Sequence, residues 1–449
     1  MRLLSAFLAA SATLLASAQA ALIANFHPNF SGGTQSLFIF GDVGTTSTIS
    51  NNDGFSQSFT IDATGVFNLN VGPVATMPSS MSNSVNGRSF RIDADNPISG
   101  LALNREAQTS DMTGLLDVTG LGSDYYVMGF TGVFGEGGQF SVTATQDNTQ
   151  VTITPSVAIN GNPAGVPFVV TLNAGESVKY NAVSGDVTGT RVTATNDVAV
   201  FAGAACTQVP VGVVACDHLV SQNFSTDNYG ERFVISDNFG GGTDSDLVRV
   251  LAADDNTEVF VNGVSQGTID AGEFLTIDRI GDAVITTNNP VTVGQFLRGQ
   301  GGTRNVGDPG FSIVPAENQW LRSYAFSTPV GSEAYSQNFL NIAILTSDLA
   351  SLRLNGMSFD TSMFTTTGLY SLGNVEIPVG FGTISAAIPF LAMIAGFSNF
   401  DSYFWSIATS FSPGTSPPPD PDPIPLPAAL PLFLAGLAGI SFAKRRHKA

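Results

Sequence analysis

The sequence contains two cysteines, Cys206 and Cys216, which lie ten positions apart. In an exported protein such a pair is expected to form a disulfide, with two free thiols as the alternative. By loop-closure entropy a ring this small stabilises the folded state by roughly 2–3 kcal/mol. His218 follows Cys216-Asp217, but one histidine and one aspartate are too few ligands for zinc. We therefore expect a disulfide here and a hydrogen-bonded, structural histidine beside it.

Acidic residues are abundant, so glycoside hydrolysis is the enzymatic chemistry to consider first. That reaction needs two carboxylates about 5–9 Å apart around a sugar-binding cleft. Glu176 and Glu273 occupy the same place in two repeated segments, directly after Ala-Gly, and a residue that repeats with the architecture is better explained as structural. The sequence also lacks a glycine-rich phosphate loop and a nucleophile-elbow motif in a suitable context. We expect no catalytic residues and no enzyme activity, with a secreted carbohydrate-active enzyme as the alternative.

Two Asp-Asn-Thr segments, at 147–149 and 255–257, raise the question of calcium. Asp and Asn also cap tight turns with their own side chains and tolerate positive φ, so these segments predict turns. Two acidic pairs, Asp93 with Asp95 and Asp244 with Asp246, are candidates for weak calcium binding of the kind found in extracellular modules. We expect no other metal and no cofactor.

Aromatic residues near the end of the β-rich part indicate a binding surface. Rings in loops stack on sugars or anchor a protein partner. The residues in this group are Phe397, Phe400, Tyr403, Phe404 and Trp405. We treat them as candidate ligand contacts, with packing in the core of the last β unit as the alternative.

The charge balance argues against nucleic acid as a partner. The chain has 449 residues, with 36 Asp and Glu against 17 Lys and Arg, and a net charge of −19. Phosphate binding needs clustered cations, yet five of the cations lie in the terminal segments 1–20 and 424–449. Without these five, 12 cations face 36 acids, a net charge of −24, and Lys179 is the only lysine of the body. Such a surface suits a protein that stays soluble outside the cell.

Residues 1–20 predict a secretory signal peptide. Arg2 supplies the positive start, Leu3 to Leu15 is an apolar run, and Ala18-Gln19-Ala20 is a small-x-small cleavage site. A buried first helix is the alternative. We expect the mature chain to begin near Ala21, outside the cytoplasm.

The C-terminal end combines a spacer, a short motif, an apolar segment and a basic tail. Residues 411–423 are rich in proline and predict an extended spacer. Within residues 424–449, the apolar run 428–443 predicts a helix of roughly 24 Å, short of a ~30 Å hydrocarbon core. The motif is Ile424-Pro425-Leu426-Pro427-Ala428, and the basic tail contains Lys444, Arg445, Arg446 and Lys448. Such a tail is expected to stay on the cytoplasmic side.

These C-terminal parts resemble the PEP-CTERM type of bacterial sorting signal, in the variant whose motif reads Val-Pro-Leu-Pro-Ala. The resemblance implies that an exosortase-like membrane enzyme removes the tail and delivers the protein to the cell surface. This chain has Ile424 in place of valine and lacks Pro-Glu-Pro, so the cleavage position is open. A permanent single-span membrane anchor is the alternative.

Between residues 30 and 410, short alternating runs of Val, Thr, Phe and Ile are separated by Gly, Asn-Gly and Asp-Asn, which is typical of β-strands. The runs recur in a fixed order at a spacing near 95 residues. We predict an all-β fold of tandem antiparallel β-sandwich-like units. A closed, β-propeller-like array is the alternative, although propeller blades are usually about 40–50 residues long. The predicted units are a degenerate first one at 21–105, a second at 106–230, a third at 231–322 and a fourth at 323–410.

A set of short segments is dispersed over these units. They are Tyr125-Tyr126-Val127, Phe201 to Cys206, Cys216 to Leu219 with Gln222, Gly307 to Pro309 with Pro315, Gln319-Trp320, Tyr324 to Phe326, Asn338 to Asn341, and Gly396 to Tyr403. Together they resemble the N-terminal domain of IgGFc-binding proteins over about residues 100–406. None of the segments is a catalytic signature.

The resemblance implies an extracellular or surface domain of β repeats that serves adhesion or matrix interaction. The family is named for immunoglobulin Fc binding by an animal member, and no residue here can be identified as a contact for that ligand. We therefore predict an exported, non-catalytic protein of the bacterial cell surface or extracellular matrix. Its ligand, a surface glycan or a protein, is not specified by the sequence, and a passive surface coat component is a further alternative.

Overall fold

The computed structural model describes residues 20–30, 33–72, 82–135, 137–238, 245–300 and 306–407. These residues form antiparallel β-strands with a few short 3-10 turns, which confirms the predicted all-β fold. In the described ranges, no helix is long and apolar enough to cross a membrane. The predicted signal peptide, spacer and sorting signal lie outside the described residues, except for Ala20, which is the first residue of the first strand.

Over its described residues, the first repeat has eight strands in two four-stranded sheets. The strands are β1 (Ala20–Ala24), β2 (Thr34–Gly41), β3 (Thr46–Ser50), β4 (Ser56–Thr60), β5 (Val66–Asn70), β6 (Phe90–Ala94), β7 (Ile98–Glu106) and β8 (Thr109–Leu115). One sheet has the order β1-β6-β3-β4 and the other β5-β2-β7-β8. In β6 the side chains of Phe90, Ile92 and Ala94 are buried while the two between them are less so, as expected of a strand with one face on a core.

In the part of the chain that the structure describes, the three later repeats each contain seven strands in one sheet. The second repeat has β9 (Gly122–Tyr126), β10 (Gln139–Ala144), β11 (Thr149–Thr154), β12 (Phe168–Leu172), β13 (Ser177–Asn181), β14 (Arg191–Thr207) and β15 (Asp217–Gln222). The third has β16 (Gly230–Ile235), β17 (Leu247–Ala252), β18 (Thr257–Val261), β19 (Val264–Ile269), β20 (Phe274–Ile277), β21 (Ala283–Leu297) and β22 (Gly310–Val314). The fourth has β23 (Leu321–Ser327), β24 (Gln337–Leu345), β25 (Arg353–Leu354), β26 (Thr365–Thr367), β27 (Tyr370–Glu376), β28 (Phe381–Ser398) and β29 (Asp401–Ser406).

One long strand in each later repeat replaces β6 and β7 of the first. The N-terminal half of β14 pairs with β9 and β11, and its C-terminal half pairs with β10 and β15. In the same way β6 pairs with β1 and β3, and β7 pairs with β2 and β8. Equivalent pairings surround β21 and β28. The four repeats therefore share one topology, and we propose them as the structural units of the chain.

The C-terminal half of each long strand is buried on both faces. The buried stretches are 198–207, 291–297 and 390–397. A strand covered on both faces reads as a continuous apolar run and not as an alternating one. Close strand packing also requires a glycine here, because a Cβ at Gly203 would lie 1.8 Å from the carbonyl oxygen of Leu219.

The Asp-Asn-Thr segments form the predicted turns. Asn148 and Asn256 have φ of 56° and 58°, a left-handed conformation that asparagine tolerates better than most residues. The preceding aspartates act in the turns as well. Asp147 Oδ1 accepts a hydrogen bond from Ala174 N at 3.0 Å, and an equivalent bond forms in the third repeat.

The first three repeats are joined in sequence by polar contacts. Between the first and the second, Asn25 Nδ2 donates to Thr143 Oγ1 at 3.1 Å. Between the second and the third, Arg249 Nη1 donates to the carbonyl oxygen of Gly129 at 2.7 Å and forms a 2.7 Å ion pair with Asp186. Each contact joins neighbours in the chain order.

The fourth repeat contacts both the third and the first, which closes the ring. Towards the third repeat, Asn374 Nδ2 donates to the carbonyl oxygen of Asp237 at 2.8 Å. Towards the first, Ser36 Oγ lies 2.7 Å from Glu333 Oε1. One hydrophobic core contains side chains of the third and fourth repeats, and a second contains side chains of the first and fourth. The four sandwich-like units thus surround a common axis.

Candidate functional site at the axis and the disulfide face

The last strand of each repeat lies on the axis of the ring, and we call these four strands the closing strands. They are β8, β15, β22 and β29, and they pack against one another. Hydrogen bonds join them directly. Thr113 Oγ1 accepts from Gln222 N at 2.9 Å, and Ser221 Oγ accepts from Ile313 N at 3.3 Å. Each bond joins two successive repeats, so the axis is built from strands of different repeats.

A buried aspartate stands at or near the start of every closing strand. We call the four the axial aspartates: Asp111, Asp217, Asp308 and Asp401, all at most 3% exposed. The carboxylate of the first accepts hydrogen bonds from the backbone N–H groups of Val220 at 3.1 Å, Phe311 at 3.2 Å and Phe404 at 3.3 Å. One side chain therefore holds the closing strands of all four repeats.

Burial raises the pKa of three axial aspartates. Loss of solvation raises the pKa of Asp111 well above its usual value, although backbone N–H groups favour its carboxylate. For Asp217, burial raises the pKa first, and the carboxyl groups of Asp401, Asp308 and Asp111 add to the rise. Burial raises the pKa of Asp401 to about 6, against the opposing charge of Arg105, whose Nη1 lies 3.1 Å away. Burial therefore disfavours the charged form of Asp111 and of Asp217 relative to a free carboxyl group in water.

The axial aspartates converge, but they do not have the arrangement of a glycosidase. Catalytic carboxylates flank a cleft that admits a sugar, whereas these four are closed off from solvent. Both oxygens of Asp111 accept backbone N–H groups. In the described part of the chain, no group of three or more His, Cys, Asp or Glu is placed to hold a metal ion. Such an arrangement supports the closing strands.

Cys206 and Cys216 form the predicted disulfide, with their Cα atoms 5.4 Å apart. The bond ties the end of β14 to the start of β15. His218, the second residue of β15, is buried, and burial lowers the pKa of its imidazole to about 4. Its backbone N–H donates to Thr109 Oγ1 at 3.0 Å. The histidine is therefore a neutral side chain packed beside the axis.

The loop that the disulfide closes carries exposed apolar side chains. Val211 and Val214 in this loop are 62% and 59% exposed. Phe30 and Phe134 are 58% and 72% exposed, with ring centroids 6.1 Å apart. We call these four residues the disulfide face. Exposed apolar clusters on soluble proteins mark interaction surfaces.

The disulfide face rests on a fixed base. The backbone N–H of Phe30 donates to the carbonyl oxygen of Ala205 at 3.2 Å, and that of Val133 donates to Cys206 at 3.0 Å. On the other side of the loop, Gly299 N donates to the carbonyl oxygen of Val209 at 2.8 Å. The face therefore lies at the end of the ring where the closing strands begin.

The structure corrects the expectation for four of the five predicted aromatic contacts. Phe397, Tyr403, Phe404 and Trp405 are at most 2% exposed. Three of them lie on β29, a closing strand on the axis, and so have no free surface for a ligand. Phe400 precedes β29 in a turn with φ of 51° and is 38% exposed, at the same end of the ring as the disulfide face.

The predicted calcium-binding acids take part in local hydrogen bonds. Asp95 accepts from Thr46 N at 2.9 Å, and Asp93 pairs with Arg91 Nε at 2.8 Å. Asp246 accepts from Gln295 Nε2 at 2.7 Å, deep in the third repeat, whereas Asp244 lies outside the described residues. The carboxylates of Asp93, Asp95 and Asp246 therefore bind groups of the protein itself.

The two repeated glutamates occupy equivalent turns in different repeats. The carboxylate of Glu176 accepts a hydrogen bond from Asn173 N at 2.7 Å, and that of Glu273 accepts one from Asp270 N at 3.1 Å. Each side chain therefore closes its own turn. The sorting motif 424–428 and the basic tail lie outside the described residues and remain predictions.

Sequence reasoning missed the axial aspartates and the disulfide face. The aspartates follow one another at 106, 91 and 93 positions, close to the repeat spacing, and this spacing is the one signal of them in the sequence. The exposure of Phe30 and Phe134 has no comparable signal, because it depends on which neighbouring strands leave their side chains uncovered.

Comparisons with known proteins agree with this architecture. The family model described as IgGFc binding protein matches residues 111–396, from the first axial aspartate to the long strand of the fourth repeat. The human IgGFc-binding protein is 26% identical over 298 residues, which are 64% of this chain and 5% of the human protein. The match thus spans a small part of that relative. Since the family model covers more than half of the chain, the protein belongs to the IgGFc-binding protein family.

Proposed function

We propose that the protein is an exported, non-catalytic binding protein that acts at the cell surface or in the extracellular matrix. Its family membership supports a binding role, since the human relative is named for binding IgG Fc. A disulfide is typical of exported proteins. The excess of acidic residues over cations favours solubility outside the cell and argues against nucleic acid.

The disulfide face is the proposed contact surface, and its exposure is the observation that carries the proposal. All four of its side chains are more than half exposed, and the disulfide and the backbone hydrogen bonds hold the segments that bear them. A preorganised surface loses less conformational entropy when it binds. Because phenylalanine and valine make apolar contacts, we propose a protein ligand with a complementary apolar pocket.

The location is proposed in more detail from the two ends of the chain. A signal peptide at 1–20 directs export, and residues 424–449 hold the chain in the membrane until an exosortase-like enzyme removes them. The mature protein is then presented at a bacterial surface. The motif Ile424–Ala428 supports this order of events.

A parallel screen for binding and for catalysis tests the proposal. The exported protein is presented to arrays of extracellular proteins, including IgG Fc, and to arrays of surface glycans, and the same glycans are assayed for hydrolysis. We expect saturable binding to a protein ligand without turnover. Hydrolysis of a glycan would establish the carbohydrate-active enzyme instead, and the absence of any ligand from both arrays would favour a passive coat component.

A further inference from the structure

A cavity of about 350 Å³ lies at the end of the axis opposite the disulfide face, and we call it the axial cavity. All four closing strands contribute to its lining with their C-terminal residues. The hydroxyl groups among them belong to Thr113, Ser221, Ser312 and Ser406. Because the closing strands run in the same direction, the axial aspartates and this cavity occupy opposite ends of the same four-strand bundle.

The lining carries almost no charge. Among the described residues that line the cavity there is no Lys, Arg or His, and the one carboxylate belongs to Asp117. That carboxylate is occupied by the fold: Oδ1 accepts from Thr119 N at 2.9 Å, and Oδ2 accepts from Ala21 N at 3.1 Å. An anionic ligand would find no cation here, and a cationic ligand would find a carboxylate that is already in use. The cavity suits a neutral ligand.

The lining offers both donors and acceptors of hydrogen bonds. Ser221 Oγ accepts from Ile313 N, which leaves its O–H to donate. Ser312 Oγ donates to a backbone carbonyl, which leaves its lone pairs to accept. Gln222 is 2% exposed, its Oε1 accepts from Leu116 N at 2.8 Å, and its Nε2 has no hydrogen-bond partner among the described residues. A buried donor without a partner is costly, so a ligand that supplies an acceptor is favoured.

Apolar side chains alternate with these polar groups. Leu22, Ile98 and Phe224 lie in the same lining. A sugar or cyclitol presents hydroxyl groups at its edge, each of which both donates and accepts, and C–H groups on its faces. The cavity volume falls within the range of small-molecule sites, about 300–1,000 Å³, and therefore suits roughly one or two sugar rings.

We propose that the axial cavity binds a neutral polyhydroxylated molecule of the size of a mono- or disaccharide, either free or as the end of a glycan chain. This site is independent of the disulfide face and of the protein ligand proposed for it. The described residues of its lining include one carboxylate, that of Asp117, which the fold already uses, and we assign the site to binding.

The experiment titrates the full chain with a panel of neutral monosaccharides, disaccharides and inositol by calorimetry and by ligand-observed NMR. Glucuronic acid and glucosamine serve as charged counterparts. We expect saturable binding of at least one neutral compound and at least tenfold weaker binding of the charged ones. A comparison of the free sugar with an oligosaccharide that ends in it distinguishes the two sources of the ligand. No saturable binding of any neutral compound, or equal binding of the charged ones, would overturn the proposal.

Cavity-filling variants locate the site. Ser406→Leu and Ser99→Leu fill the lining from the fourth and the first repeat, and Gln222→Glu keeps the acceptor for Leu116 N but removes the free donor. Ser265→Leu, on the exposed strand β19, is the matched control. We expect each of the first three to weaken binding at least tenfold and the control to leave it unchanged. If one variant fails to fold, the affinities of the remaining folded variants test the location of the site. Undiminished binding in the folded variants would rule out the axial cavity, whatever becomes of the disulfide face.

Discussion

The carboxylate of Asp111 in the first repeat accepts a hydrogen bond from the backbone N–H of Phe404 in the fourth, 3.3 Å away and 293 positions later in the chain. The same carboxylate accepts the N–H groups of Val220 and Phe311 from the second and third repeats. One side chain thus bonds to the closing strands of the other three repeats. Because the carboxylate is sealed from water, each N–H that loses it has no replacement partner.

Removal of this carboxylate should destabilise the whole ring. At about 1–3 kcal/mol for each unsatisfied buried group, we expect Asp111→Ala to lower the free energy of unfolding by about 3 kcal/mol or more. Asp111→Asn keeps one acceptor oxygen and should cost less. Urea unfolding followed by near-UV circular dichroism measures both. Glu231→Ala, at an exposed position of β16, is the control, and an effect of Asp111→Ala as small as that of the control would refute the role of Asp111.

Buried carboxyl groups should make part of the stability decrease as pH rises. Burial raises the pKa of Asp246 to about 7 and that of Asp401 to about 6, from 3.8. Since the folded-state pKa is the higher one, the stabilisation is complete below about pH 4 and is lost as pH rises through 6 to 7.

The comparison of wild type with Asp246→Asn isolates this effect for one residue. We expect the free energy of unfolding of the wild type to exceed that of the variant by most at pH 4 and by least at pH 8. The excess should change by about 1.4 kcal/mol per unit of pKa shift. Urea unfolding at intervals of one pH unit gives the difference. A difference that stays constant, or that grows towards pH 8, would show that Asp246 titrates normally in the fold.

The disulfide should stabilise the fold and preserve the disulfide face. Loss of the ten-residue link between Cys206 and Cys216 in the double variant Cys206→Ser/Cys216→Ser should cost about 2–3 kcal/mol. Proteolysis should then cleave within residues 207–215 first, because the loop loses its constraint. Equal stability and equal cleavage patterns with and without the bond would contradict this prediction. Wild-type protein incubated with an alkylating agent before and after reduction provides the control for the oxidation state.

Arg249 should hold the second and third repeats together. Its Nη1 contacts the carbonyl oxygen of Gly129 and the carboxylate of Asp186, and its guanidinium lies 4.0 Å from the ring centroid of Phe130. Arg249→Ala should lower the free energy of unfolding by about 2–3 kcal/mol. Arg249→Lys should lower it less, since lysine keeps the charge but not the planar group that stacks on the ring.

The matched control for Arg249 is Arg191→Ala. Arg191 also forms an ion pair, with Asp124 at 2.9 Å, but its side chain is 49% exposed. Exposed ion pairs contribute about 0–1 kcal/mol, so the control should be nearly neutral in thermal and urea unfolding. Equal losses of stability in Arg249→Ala and Arg191→Ala would show that the contribution of Arg249 does not come from its burial at the repeat interface.

The sequence predicts local features of this fold better than its assembly. The turns at Asn148 and Asn256 and the pairing of Cys206 with Cys216 depend on residues close together in the chain, and the structure confirms both. The closed ring depends on contacts such as that of Asp111 with Phe404, which no local pattern encodes. The axial aspartates also stand in four different local contexts: Ser-Asp-Met, Cys-Asp-His, Gly-Asp-Pro and Phe-Asp-Ser.

The candidate binding surface was predicted less well, for a physical reason. Tyr403 and Trp405 are residue types found in sugar-binding loops, yet they fill the centre of the ring, because β29 is one of the four closing strands on the axis. An aromatic residue serves a core and a binding surface equally well. The packing of the four repeats determines whether a given aromatic residue lies in the core or on the surface. The same packing leaves Phe30 and Phe134 exposed.

The most direct test of the account is the affinity of the disulfide face for the protein ligand that the binding screen identifies. The double variant Phe30→Ser/Phe134→Ser is compared with Val169→Ser/Val264→Ser, which changes two equally exposed apolar residues elsewhere, by biolayer interferometry. We predict that the first loses at least tenfold in affinity at unchanged thermal stability, while the second binds like the wild type. If both variants bind like the wild type, the disulfide face is not where this protein meets its ligand.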